Sequence, residues 1–381
     1  MDPIFSNKSP GPAAGLYVHV PFCRSKCPYC GFFSVPSSAL VPAWMTALEK
    51  EARHYRGRDG RFDTLYLGGG TPSVLPAVRL ERIREILFSL FDIAPGGEFT
   101  IEANPCDLTR EKARALRDMG FNRVSVGVQS FDDAVLSFLG RRHTGSRAER
   151  ALDRLRAAGF QNIGVDLMYG IPGLGMKQWR RTLSRALAFD PEHISCYQLT
   201  VEKKTPFARL RDRGEMEPMK EPEAVRFFIE TARFLEARGY IHYEVSNFAR
   251  GEAFISRHNR KYWHHVPYLG LGPSAHSFSG ASRWWNVRSV RRYCRMLEGG
   301  ALPVAGRERL SADQLRLEAV SLGARTRAGF RLKGIGADPG TREALMRLVA
   351  ECFLRRTGDR AVPTRKGFLV ADRIPLHLGI G

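Results

Sequence analysis

Leu16-Tyr17-Val18-His19-Val20-Pro21-Phe22-Cys23-Arg24-Ser25-Lys26-Cys27-Pro28-Tyr29-Cys30 is the stretch whose reading decides the fold. Its first five residues read as a β-strand, and Pro21 ends it. Three cysteines follow in the spacing C-x3-C-x2-C. That spacing gathers three thiolates in one tight loop, which holds no fourth cysteine or histidine. A structural zinc site closes on four ligands. A [4Fe–4S] cluster is held by thiolates, and three of them leave one iron open to a substrate. Seven cysteines in 381 residues are too sparse, and odd in number, for a disulfide framework. A zinc knuckle short of one ligand is the other reading of the loop. Cys106, Cys196, Cys294 and Cys352 are scattered and read as small buried hydrophobes.

Outward from this loop, β-rich runs alternate with helical patterns. Strands are predicted at Leu16–Val20, Thr64–Leu67, Phe99–Glu102, Val124–Val128, Ile163–Leu167 and His193–Tyr197, with a last one at Ile241–Val245. Helices are predicted at Pro42–Tyr55, Val78–Phe91, Arg110–Met119, Asp132–Leu139, Arg147–Ala158, Lys177–Ala188 and Glu221–Arg238. Repeated βα units imply a parallel sheet covered by helices. The fold class expected is therefore α/β, as a partial, open parallel β/α barrel.

Ligands of such barrels gather at the C-terminal ends of the strands. The cysteine loop follows the first strand, and Gly68-Gly69-Gly70-Thr71-Pro72 follows the second. Glu102 ends the third, Gln129 the fourth, Asp166 the fifth and Thr200 the sixth. Packing alone does not explain polar residues recurring at one end of successive strands. The glycine run lets backbone approach a ligand without a Cβ in the way. Glu102 and Asp166 suit ribose hydroxyls or a cationic centre, with helix capping as the plainer reading. Arg141 suits a carboxylate partner, or is an ordinary surface arginine.

The chain is 43% hydrophobic and 26% charged, a balance typical of a soluble globular protein. No run of about 18 apolar residues marks a membrane span. Met1–Pro12 lacks an apolar core and reads as a flexible leader rather than a signal peptide. Free thiols and an oxygen-sensitive cluster point to the cytoplasm. The net charge of +20 is spread along the chain, as in Arg141-Arg142, Arg180-Arg181 and Arg291-Arg292. Without a basic block carrying interleaved aromatics, no dedicated nucleic-acid surface is expected. Porphyrin propionates or an anionic membrane face are other partners for such charge.

After residue 248 the texture changes. Arg257-His258-Asn259-Arg260-Lys261-Tyr262-Trp263-His264-His265 is polar and aromatic, and glycine-rich turns follow around Gly270 and Gly280. Helices are expected over 311–328 and 341–356, with a small β-ribbon over Arg360–Val370. The organisation expected is a flexible leader over 1–14, a barrel over 15–248 and a connecting region over 249–310. A small, mostly helical domain over 311–381 completes it.

The runs Val20-Pro21-Phe22-Cys23, Cys27-Pro28-Tyr29-Cys30, Glu102-Ala103-Asn104-Pro105, Tyr197-Gln198-Leu199-Thr200 and His258 to Trp263 carry a family resemblance. So do Gly68 to Ser73, Ser125 to Phe131, Asp166 to Gly173, Tyr243 to Phe248 and Thr364 to Phe368. The chain resembles the HemN-type branch of the radical S-adenosylmethionine (SAM) superfamily, and within it the heme-chaperone group. The resemblance implies a [4Fe–4S] cluster on Cys23, Cys27 and Cys30. It implies SAM chelating the open iron, with one electron splitting SAM to methionine and a 5′-deoxyadenosyl radical. Tyr17, Gly70, Thr71, Glu102, Gln129, Arg141, Asp166 and Thr200 fall on the family's SAM contacts. Related decarboxylases bind two SAM molecules, and the number here stays open.

Two features separate the subgroups. The decarboxylases carry a further cysteine two residues after the third, where this chain has Phe32. The chaperone group carries H-N-x-x-Y-W, present as His258-Asn259-Arg260-Lys261-Tyr262-Trp263. His258 is the implied heme ligand, with His264, His265 and His276 as neighbours able to take the axial role. The plainer reading has His258-Asn259 capping a turn and Tyr262-Trp263 packing a seam. The function implied by the resemblance is a cytoplasmic heme chaperone that passes heme to an acceptor such as a membrane-bound respiratory cytochrome, with membrane association and a homodimer among the expectations. Flavodoxin or ferredoxin would donate electrons if SAM is cleaved. Whether SAM is turned over stays open, so enzyme status is not fixed. The alternatives are oxygen-independent coproporphyrinogen III oxidation, which Phe32 disfavours, and radical methyl transfer.

Overall fold

The computed structural model describes residues 12–57, 60–335 and 339–380. Residues 1–11 of the expected leader lie outside the described residues. The chain runs β1 (Ala14–Val20), α1 (Val41–His54), β2 (Arg61–Gly69), α2 (Ala77–Leu90), β3 (Asp92–Ala103) and α3 (Arg110–Asp118). It continues with β4 (Arg123–Gln129), α4 (Asp133–Phe138), α5 (Gly145–Ala157), β5 (Ile163–Tyr169), α6 (Met176–Leu187) and β6 (His193–Gln198). Then come α7 (Pro206–Asp212), α8 (Glu221–Glu236), β7 (Ile241–Glu244), β8 (Asn247–Ala249) and α9 (Arg257–Trp263). Strands β9 (Tyr268–Leu271), β10 (His276–Ser279) and β11 (Ser282–Asn286) precede α10 (Val290–Glu298) and β12 (Val304–Arg309). The last part holds α11 (Ala312–Gly323), β13 (Phe330–Arg331), α12 (Pro339–Ala350), β14 (Leu354–Thr357), β15 (Arg360–Pro363), α13 (Arg365–Phe368) and α14 (Ile374–His377).

One sheet has the order β12-β11-β10-β9-β1-β2-β3-β4-β5-β6-β8-β7. Strands β1 to β6 are parallel, as the βα alternation predicted. The two ends do not pair with each other, so the barrel is open. Alternation along the strands divides the sheet into two faces. Leu16, Val18, Leu65, Leu67, Val124, Val126, Val165 and Leu167 are buried in one core with helix residues such as Trp44, Leu48, Leu80, Leu116 and Leu152. The register on the other face aligns Tyr17 with Tyr66, Glu102 with Ser125, and Asp166 with both Gly127 and Ser195. Parallel strands are usually apolar on both faces. Here the outer face provides the cohesion, at about 1.5–3 kcal/mol per buried aliphatic side chain. The inner face is left polar.

Three elements differ from the sequence reading. Strand β7 is antiparallel, paired with β8, which is itself antiparallel to β6. Strands β9 to β12 extend the sheet beyond β1 and had no clear sequence signal, being short and broken by Gly270, Gly272 and Gly280. The expected ribbon over Arg360–Val370 sits earlier, as a β14–β15 hairpin closed at Thr357 and Arg360. Gly358, with φ of 59°, makes that turn, and Thr364 caps α13 by accepting from the Gly367 amide at 3.1 Å. Val320, Phe330, Leu348, Leu354 and Ile374 form a second, smaller core. Among the described residues, no helix is long and apolar enough to cross a membrane.

Glu51 ties the added strands to the barrel. Its fully buried carboxylate accepts from the Gly272 amide at 2.8 Å, Asn286 Nδ2 at 2.6 Å and the Tyr293 hydroxyl at 2.6 Å. Burial raises its pKa to about 7. Glu51→Ala orphans three buried donors, so chemical denaturation should show a loss of about 2–4 kcal/mol. Glu49, two residues away, makes surface ion pairs with Arg53 and Arg82, and Glu49→Ala should change stability by less than about 1 kcal/mol.

Candidate functional site

The cysteine loop leaves the end of β1 and folds back on itself. The Cys23 amide donates to the Val35 carbonyl at 3.1 Å, and the Val35 amide to the Pro21 carbonyl at 2.7 Å. The next strand holds the loop from below. The amides of Gly70 and Thr71 each donate at 2.8 Å, to the carbonyls of Val20 and Phe22. A Cβ on Gly70 would lie 2.7 Å from the Phe22 oxygen, so only glycine allows this approach. Thr71 Oγ1 lies 3.3 Å from Cys23 Sγ.

Cys23, Cys27 and Cys30 are free thiols lining one cavity of about 70 Å³ with Gly70, Thr71 and Arg141. Burial raises the Cys30 thiol pKa, and the Cys27 and Cys23 thiolates add to the shift while the Phe32 amide and Lys26 oppose it. Arg141 donates to the Gly127 carbonyl at 2.6 Å, the Tyr29 hydroxyl at 3.4 Å and Cys27 Sγ at 3.5 Å. Among the described residues, its hydrogen-bond partners include no carboxylate. Arg141 Nε and Ser34 Oγ, both beside this cavity, are buried without a hydrogen-bond partner. Orphaned donors next to three thiols fit an anionic cluster and its ligand. Among the described residues, no three His, Cys, Asp or Glu side chains converge as for a single metal ion. A closed zinc site takes four ligands, and the lining of this cavity offers three thiols with no histidine or carboxylate.

The polar inner face continues from the loop. Glu102 accepts from the Tyr66 hydroxyl at 2.9 Å and the Gly69 amide at 3.1 Å. Burial raises its pKa to about 7, and the Asp166 charge adds to the shift. Asp166 accepts from Ser125 Oγ at 3.1 Å, and burial raises its pKa against hydrogen bonds from Ser195 and Ser125. The Tyr17 hydroxyl lies 3.1 Å from His19 Nδ1, and His19 Nε2 lies 2.9 Å from the Phe33 carbonyl. A carbonyl only accepts, so Nε2 carries the proton and Nδ1 accepts from Tyr17. Gln129 takes a left-handed φ of 66° at the end of β4. Thr200 lies two residues beyond β6 and is exposed.

Tyr17, Gly70, Thr71, Glu102, Gln129, Arg141 and Asp166 thus share the end or inner face of the sheet with the cysteine loop. His19, Tyr66, Ser125 and Ser195 belong to the same surface and were not singled out from sequence. Their signal was strand parity: each falls in step with an inward neighbour.

His258 is buried near the start of α9. It is 1% exposed, stacked on Tyr66 at 5.0 Å, with Thr64 Oγ1 2.8 Å from Nδ1 and the Tyr262 hydroxyl 2.8 Å from Nε2. Its amide and that of Arg257 donate to Glu98 at 2.9 Å and 3.0 Å. Burial lowers its pKa to about 3, so it is neutral. Both ring nitrogens are engaged, and the start of α9 plugs the floor of the barrel.

Parallel strands around a polar interior, with three free thiols after the first strand, define the radical SAM class. The Radical SAM superfamily model matches residues 17–186. The heme chaperone HemW of Mycobacterium tuberculosis (strain ATCC 25618 / H37Rv) is 38% identical over 374 residues, 96% of this chain and 94% of that protein. The heme chaperone HemW of Bacillus subtilis (strain 168) is 36% identical, covering 94% of this chain and 97% of that one. The solved coproporphyrinogen III oxidase HemN from Escherichia coli matches with a TM-score of 0.85 at 23% identity, over 99% of this chain and 92% of that one. The chain belongs to the HemW family of radical SAM proteins.

Gly70→Ala tests the anchoring of the loop. The added methyl meets backbone, so stability should fall by about 1–3 kcal/mol. Alkylation of Cys23 in the cluster-free protein should accelerate as the loop lifts away from Thr71.

Proposed function

We propose that this protein is a heme chaperone. It binds heme and passes it to an acceptor, such as a membrane-bound respiratory cytochrome, from the cytoplasmic side. The observation that carries this reading is the 36–38% identity over 94–96% of the chain to proteins named heme chaperone HemW. Phe32 supports it: it is 71% exposed beside the cysteine loop, where the decarboxylase pattern has a thiol.

Cys23, Cys27 and Cys30 would hold a [4Fe–4S] cluster, and the inner face would hold SAM beside it. When bound, the cluster supplies an open iron and a single electron. The chain supplies the rest. Gly70 and Thr71 bring backbone close to the ligand, Arg141 offers an unpaired Nε to an anionic group, and Glu102 and Asp166 accept from its hydroxyls or face its cationic part. The polar strand face keeps that ligand oriented, and the apolar outer face keeps water out from behind it. A homodimer, and flavodoxin or ferredoxin as electron donor, complete the reading.

Anaerobic reconstitution with iron and sulfide, followed by heme titration, tests the function. Stoichiometric heme binding without 5′-deoxyadenosine-linked release of carbon dioxide from coproporphyrinogen III supports the chaperone. Decarboxylation at catalytic rates, without heme binding, replaces it with the oxidase. In the triple variant Cys23→Ala, Cys27→Ala, Cys30→Ala, iron content and the visible absorption of the cluster should both vanish.

The raised pKa of Glu102 gives a pH test. Near pH 7 its carboxyl is half protonated in the free protein. A cationic or hydrogen-bond-donating ligand selects the carboxylate, so SAM binding should tighten as pH rises through 7. If binding lowers that pKa by two units, affinity gains about tenfold from pH 6 to pH 8. Calorimetry on Glu102→Gln should show a flat profile and weaker binding; Asp166→Ala should also bind SAM more weakly.

A further inference from the structure

Helix α9 has two faces. His258, Lys261 and Tyr262 point inward at helical spacing, and Lys261 Nζ donates to the Ala13 carbonyl at 2.6 Å. Arg260, Trp263 and His264 occupy the other side and line a groove of about 270 Å³. Tyr243 and Ile255 form its apolar wall, and Arg327 closes it from the C-terminal part of the chain. Tyr243 and Trp263 meet with ring centroids 5.8 Å apart. Backbone pairing fixes the Arg327 wall, because the Arg327 amide donates to the Tyr243 carbonyl at 2.9 Å.

We propose that this groove is the heme site and that His264, rather than His258, is the protein ligand to the iron. The proposal rests on the heme-binding reading above. His264 is exposed, and among the described residues neither of its ring nitrogens has a hydrogen-bond partner. His258 would first have to break two hydrogen bonds inside the barrel. An imidazole with an open lone pair on an accessible wall is what axial ligation requires.

The rest of the groove offers a porphyrin apolar surface and two guanidinium groups, with Glu252 as the acidic residue of its lining. Trp263, Tyr243 and Ile255 offer aromatic and aliphatic surface to a flat macrocycle. Arg260 has no acidic partner among the described residues, so its guanidinium is available to a propionate. Arg327 pairs with Glu252 at 2.8 Å, but both side chains are more than half exposed, and such a pair exchanges readily for another carboxylate. The groove is too small to enclose a whole macrocycle. One edge of the ring therefore stays in water, as release to an acceptor demands.

Heme titration of the full-length protein tests this, using wild type, His264→Ala, His258→Ala and Arg260→Glu. His264→Ala should weaken heme binding at least tenfold and lose the Soret band of the histidine-ligated form, and added imidazole should restore that band. Arg260→Glu should weaken binding with an unchanged Soret position. His258→Ala should keep the wild-type heme spectrum while its melting temperature falls. A wild-type spectrum and affinity in His264→Ala overturns the assignment, as does loss of the ligated band in a folded His258→Ala. If wild type itself binds no heme, the chaperone reading fails and the groove assignment with it.

Discussion

The contact between Gly70 and the Phe22 carbonyl sets the position of everything that matters at the site. Two backbone hydrogen bonds lock the exit of β1 onto the end of β2, and no side chain fits between them. The cysteine loop springs from this junction. Its three thiols therefore stand at a fixed height above the sheet, within reach of Thr71 on one side and Arg141 on the other. A looser junction would leave a loop of free cysteines without a defined place relative to the strand ends.

The inner face of the sheet carries the opposite logic from its outer face. Outward residues of β1 to β5 are aliphatic and hold the helices on. Inward residues are tyrosines, serines and carboxylates, which contribute little cohesion and lose hydration when buried. Hydrogen bonds offset part of that loss: Tyr66 and Gly69 serve Glu102, and Ser125 serves Asp166. The remainder shows as carboxyl pKa values raised by burial, so the interior is poised for a ligand that brings charge or donors of its own.

The segment around His258 shows how one short helix serves two surfaces. Glu98 takes its first amides, which fixes the helix against the barrel floor. With His258 and Tyr262 then turned inward, helical geometry leaves Arg260, Trp263 and His264 on the far side. The motif looks from its composition like a single ligand-binding cluster. In three dimensions it is divided between a plug and a groove.

Much of this was legible in the residues. The C-x3-C-x2-C spacing, the βα alternation and the polar residues at strand ends depend on local sequence, and local sequence sets strand parity and helix periodicity. The open parallel barrel and the gathering of Gly70, Thr71, Glu102, Gln129 and Asp166 follow from them, whereas Tyr17 and Arg141 joined that set through the family resemblance. What was not legible depends on which distant groups meet. Strands β9 to β12 are too short and glycine-broken to announce themselves, and they find their place through pairing with β1 and through Glu51, a carboxylate that looks like any surface residue of α1. The fate of His258 was decided by Thr64, 194 positions away, whose hydroxyl occupies one ring nitrogen. A sequence states that a histidine is present; only packing states whether its lone pair is free, because that depends on partners brought together by the fold.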